Sequence, residues 1–221
     1  MTRVAFALLL CVPVLQAQDE RTLPASLSAD QKANVLKFLQ DHKTPERYVP
    51  KNAKFADTAI TATKDKPIRQ YTVQITPHRP VPDAPQVGKA DVYFYRPNPE
   101  KGKQGITIKH TIDLATGQQV GETEVLTKAH TAISREELAE AVAAAKEKSA
   151  DVKKLYAGRE DGAVRWEYLQ MKINRKSEAS EPGDRVVRFV FTASPVEGQE
   201  APTPVSVLVN LTKDTVVADG R

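Results

Sequence analysis

The sequence predicts an α+β fold of two tandem modules, each one helix packed on a twisted antiparallel β-sheet. Three observations carry this reading. Serine-led capping boxes at Ser28 and Ser134 mark two helix starts. Most of the remaining chain alternates apolar and polar residues, as half-buried antiparallel strands do. The order of one helix and then several strands occurs twice, over intervals of 85 residues from Ser28 to Asp113 and 76 from Ser134 to Asn210. One helix laid across one sheet needs about that length, and each element then buries its single apolar face against the other.

The chain begins with Met1 to Ala17, in which Arg3 precedes an apolar run from Val4 to Leu15. This segment reads as a signal peptide. The run is shorter than the roughly 20 residues that span a bilayer, and Ala17 offers a small residue for cleavage. A secreted or periplasmic protein starting near Gln18 is expected. Cys11 is read as part of the leader and not as a lipidation site, because Leu10 before it is bulky and the apolar run continues behind it.

In the first helix, Ser28-Ala-Asp-Gln31 has capping-box spacing, and Val35, Phe38 and Leu39 share one face. Pro45 sets a stop near His42. Strands are expected over Arg69 to Ile75, Asp91 to Arg96 and Ile106 to Leu114, with a hairpin turn at Thr116-Gly117. Between the first two, Pro77, Pro80, Pro82 and Pro85 predict an extended polyproline-like loop.

The second helix starts at Ser134-Arg-Glu-Glu137, where Ile133 and Leu138 are placed for a hydrophobic staple. Leu138, Ala141, Val142 and Ala145 form its apolar stripe, and Asp151 to Tyr156 extends it until Gly158. Val164 to Ile173, Arg185 to Ala193 and Val205 to Leu211 supply further strands, with a turn at Lys213-Asp214. In Val164 to Ile173 the apolar phase shifts from Val164, Trp166 and Tyr168 to Leu169, Met171 and Ile173, which predicts either a bulge or a strand covered on both faces. The expected division is therefore a leader at 1–17, one α+β module at 18–128 and a second at 129–221.

Composition narrows the function classes. The 221 residues are 40% hydrophobic and 27% charged, with 32 Lys and Arg against 28 Asp and Glu, which describes a folding chain and not a disordered polyelectrolyte. Loss of Arg3 with the leader lowers the net charge from +4 to +3, and no long run of like charge occurs. Neither a nucleic-acid groove nor a membrane surface is indicated. The single Cys leaves with the leader, so thiol nucleophiles, disulfides and thiolate metal ligation are not expected in the mature chain.

The four histidines, His42, His78, His110 and His130, are spaced too far apart for helical or strand pairing as metal ligands. His110 shares the phase of Ile106, Ile108, Ile112 and Leu114 and is read as a packing residue at a sheet edge, and His130 as a loop residue. Glu136-Glu137 is explained by the helix dipole at a first turn. Trp166 and Tyr168 lie on one strand face; a core position is expected for the only Trp, with anchoring of a partner as the other reading. No residues are assigned as catalytic, cofactor-binding or metal-binding.

The succession of Leu27-Ser-Ala-Asp-Gln31, Ala90-Asp-Val-Tyr-Phe-Tyr-Arg96, Asp113-Leu-Ala-Thr-Gly-Gln-Gln-Val120 and Ile133-Ser-Arg-Glu-Glu-Leu-Ala-Glu-Ala141 resembles the two small amino-terminal domains, N2 and N3, of copper amine oxidases. The resemblance covers Leu27 to about Tyr156 and implies two cystatin-like modules. It does not extend to the chemistry of that family, which needs an oxidisable tyrosine in an Asn-Tyr-Asp/Glu context and a His-x-His pair. Neither motif occurs here. The resemblance thus implies a non-catalytic, exported protein-interaction module, an accessory subunit of an amine-oxidase-type enzyme, with copper and topaquinone on a separate polypeptide. Its partner would be that catalytic subunit or another copy of itself. The other function class is a secreted cystatin-like inhibitor or peptide-binding protein presenting loops or a sheet edge.

Overall fold

A computed structural model describes residues 23–42, 69–78, 88–195 and 200–219. The leader with Cys11, Pro45, and Pro80, Pro82 and Pro85 lie outside the described residues. Helix α1 runs Ala29–Asp41, α2 runs Arg135–Lys148 and α3 runs Ala150–Tyr156. Both predicted capping boxes close. Ser28 Oγ accepts from the Gln31 N–H at 3.3 Å while Gln31 Oε1 accepts from the Ser28 N–H at 3.0 Å. At α2, Ser134 Oγ accepts from the Glu137 N–H at 3.1 Å and Glu137 Oε2 accepts from the Ser134 N–H at 2.9 Å. Each box satisfies two N–H groups that a helix start leaves unpaired.

The extension beyond Lys148 is a separate helix. Ser149 leaves helical geometry at ψ 120°, ends α2, and caps α3 by accepting from the Val152 N–H at 3.3 Å.

Eight strands form two four-stranded antiparallel sheets, each paired in sequence order. The first holds β1 (Tyr71–Pro77), β2 (Lys89–Arg96), β3 (Ile106–Asp113) and β4 (Glu124–Thr127); the second holds β5 (Val164–Met171), β6 (Val186–Ala193), β7 (Val205–Asn210) and β8 (Thr215–Ala218). The fold is α+β, with three helices among the described residues. β4 and β8 were not expected, since four residues are too few to display a period of two.

Val35, Phe38 and Leu39 of α1 pack on Ile75, Val92, Phe94, Ile108 and Ile112. Leu138, Ala141 and Ala145 of α2, with Val152 and Leu155 of α3, pack on Val187, Phe189, Phe191, Val207 and Val209. The two clusters share no residue. Fully burying one such Val, Leu or Phe side chain contributes about 1.5–3 kcal/mol, so each cluster is a substantial core.

The turn after β3 docks on α1. Asn34 Nδ2 donates to the carbonyls of Leu114 at 3.0 Å and Ala115 at 2.8 Å. Gly117 adopts φ +69°, and a Cβ there would meet the Asn34 carbonyl oxygen at 3.1 Å. Asp214 takes φ +55° in the β7–β8 turn, where Asn210 Oδ1 accepts from the Lys213 N–H at 3.0 Å.

Three expectations are corrected. β5 pairs with β6 in unbroken register from Val164↔Ala193 to Met171↔Val186, so it carries no bulge. It is also not covered on both faces, because it is the first strand of its sheet and α2 and α3 lie chiefly over β6, β7 and β8. The register shift falls instead in β1, between Thr72 and Gln74. His110 is a packing residue, 1% exposed, but β3 lies between β2 and β4 and is not an edge.

Candidate protein-interaction surface

Three places concentrate chemistry. The first is the histidine pair. The fold stacks His42 on Phe38 and brings its ring to 5.3 Å from that of His110, although sequence spacing gave no reason to pair them. His42 Nδ1 lies 2.7 Å from the Phe38 carbonyl, and His110 Nδ1 lies 3.0 Å from Gln119 Oε1. Burial, only partly offset by the Gln119 bond, pushes the His110 imidazole down to about 4, so it is neutral at ordinary pH. His78 pairs with Asp91 at 3.0 Å, and His130 sits in the segment before α2. Among the described residues no group of three His, Cys, Asp or Glu side chains is placed to hold a metal ion. The His42 and His110 rings pack against each other and against Phe38 and Phe94.

The second place is the junction between the sheets. Glu137 does more than answer the helix dipole. Its side chain and that of Arg185 are each 4% exposed and form a bidentate pair, Nε to Oε1 at 2.9 Å and Nη2 to Oε2 at 2.6 Å. Nη1 donates to the Thr131 carbonyl and hydroxyl at 2.9 and 3.0 Å, and Nη2 to the Ala132 carbonyl at 2.8 Å. All five guanidinium N–H groups are thereby used. The guanidinium also lies 4.2 Å from the ring centre of Tyr95, a residue of the first sheet.

Around it, Arg69 and the Tyr71 hydroxyl bond to Glu140, Lys101 and Lys148 bond to Asp214, and Gln104 Nε2 donates to the Pro182 carbonyl at 2.7 Å. A cavity of about 220 Å³ lies here. Its cations and carboxylates already face one another, so the arrangement is a joint between the sheets and offers no free charge to a ligand.

The third place is the outer edge of β5. Among the described residues five large apolar side chains are exposed, and three of them are on this strand: Trp166 at 39%, Tyr168 at 49% and Leu169 at 59%. The expectation of a core position for Trp166 is therefore corrected. Its ring meets Phe189 edge-on at 5.6 Å, and among the described residues no strand pairs with the outer side of β5 while the helices lie chiefly over β6, β7 and β8. Arg165 and Glu167 project from the opposite face of the strand, exposed, and neither makes an ion pair or side-chain hydrogen bond with a described residue.

The other three sheet edges are blunted in ways that discourage pairing. β1 is interrupted by its register shift and ends in Pro77, and β4 and β8 have four residues each. β5 has eight residues, no bulge and no proline. An unprotected edge with aromatic side chains is a template for another strand. Sequence reading identified the aromatic pair; the edge position follows from the pairing order.

No family model matches the chain, and no curated protein matches it. No helix among the described residues is long and apolar enough to cross a membrane.

Proposed function

We propose that this chain is an exported, non-catalytic protein-association module that joins its assembly through the edge of β5. The observation that supports this reading is the contrast among the edges. Three are cut short, bulged or ended by proline, whereas β5 is a full-length, regular edge whose two exposed charges, Arg165 and Glu167, are of opposite sign and which adds Trp166, Tyr168 and Leu169. Backbone pairing would supply affinity, and the alternate side chains specificity.

The finer reading rests on the resemblance to the amino-terminal domains of copper amine oxidases. It takes 18–128 and 129–221 as two cystatin-like modules, and the assembly as an amine-oxidase-type enzyme whose copper and topaquinone belong to a separate catalytic polypeptide. The two separate apolar clusters favour such a division.

A photo-crosslinking side chain placed at Tyr168, in cells that export the protein, tests the association surface. A discrete adduct at Tyr168, absent when the probe replaces exposed Lys37 on α1, is expected. Equal, diffuse labelling at both positions would overturn the proposal.

A further inference from the structure

The geometry points to a second copy of this chain as the occupant of the β5 edge, paired antiparallel about a two-fold axis at Trp166. This inference rests on the association proposed above and adds the identity and register of the partner strand.

The accessible stretch is set first. Gln170 Nε2 donates to the Thr131 carbonyl at 2.5 Å, which ties the far end of β5 to the segment before α2. The stretch free to pair is Val164 to Leu169. An isologous antiparallel pair must place its two-fold on or near the middle of that stretch, and residues directly opposite share a face. Centring on Glu167 sets the two Glu167 carboxylates against each other and Arg165 against Leu169, which is unfavourable. Centring on Trp166 sets Arg165 opposite the second copy's Glu167, and Glu167 opposite its Arg165. Both charges lack a partner within the described chain, and this one register satisfies both twice over.

On the other face the same register sets Trp166 against Trp166 and Tyr168 against Val164. Aromatic and β-branched pairs of this kind are favoured across strands. The exposed rings would then lie together over the seam, flanked by Phe189 of each copy, which already touches both rings. The two four-stranded sheets would join into one of eight, and the unprotected edge would disappear.

Sedimentation velocity across the micromolar range tests the pairing with the full chain. The expected result is a concentration-dependent dimer. R165E and E167R each place two like-charge pairs across the seam and should weaken it about tenfold. The double variant R165E/E167R exchanges the charges, restores complementarity and should regain the dimer. Circular dichroism establishes that each variant is folded.

A dimer indifferent to both single reversals, or singles not rescued by the double, would overturn the inference. So would a monomer at every concentration. In that case a discrete Tyr168 adduct to a different protein would leave the association reading standing, and its absence would end both.

Discussion

Replacing Arg185 by methionine tests the buried ion pair that ties the entry to β6 to the start of α2. The change keeps most of the side-chain volume but removes the five N–H donors that now reach Glu137, Thr131 and Ala132. It leaves the Glu137 carboxylate, 4% exposed, with its capping bond to the Ser134 N–H but no countercharge. Removing one partner of a buried ion pair costs about 3–5 kcal/mol, whereas replacing both partners by neutral groups is often close to harmless. R185M should therefore lose about 3–5 kcal/mol, a fall of about 10 °C in melting temperature for a chain of this size. Adding E137Q, which keeps a residue able to complete the capping box, should return about half of that loss. Urea unfolding, read as a change in midpoint at unchanged slope, measures both. A loss below about 1 kcal/mol for R185M, or a double variant worse than the single, would refute the reasoning.

Three further outcomes follow from local geometry. The unfolded chain takes up a proton at the ordinary histidine value of 6.5, while folded His110 waits until about 4. The stability associated with its neutral form is thus lost as pH falls through that window, by about 2 kcal/mol between pH 7 and pH 4.5, and unfolding curves of H110Q should lack that part of the loss. G105A should destabilise the protein by about 2 kcal/mol, because a Cβ at Gly105 would lie 2.4 Å from the Arg96 carbonyl oxygen and 2.5 Å from the Tyr95 hydroxyl; an unchanged urea midpoint would contradict this. Residues 129–221 expressed alone should unfold cooperatively around their own apolar cluster, and a fragment that stays folded only with residues 18–128 attached would argue for one continuous core.

What the sequence makes legible here is what depends on near neighbours. Both capping boxes, the apolar faces of α1 and α2, and six of the eight strands follow from spacings of two to four residues. Glu137 shows where that reasoning ends. Its role in the capping box is visible three residues away, but its buried partner lies 48 residues along the chain. Likewise His42 and His110 meet only because α1 crosses the first sheet. Trp166 is the instructive error. Its chemistry favours burial, and only the order of strand pairing, which fixes β5 at an edge, decides its exposure. The shift of apolar phase along β5 was a real signal: it reflects an edge strand carrying apolar side chains on both faces with little to cover them.

Amide hydrogen exchange on the protein isolated from its native cells and their surroundings tests the central claim most directly. The assembled protein and the dissociated monomer would be compared over β5. The account predicts that amides of Val164 to Leu169 exchange more slowly in the assembly, while β1, β4 and β8 exchange at the same rate in both. Protection confined to another edge or to a helix face, with β5 unchanged, would contradict it.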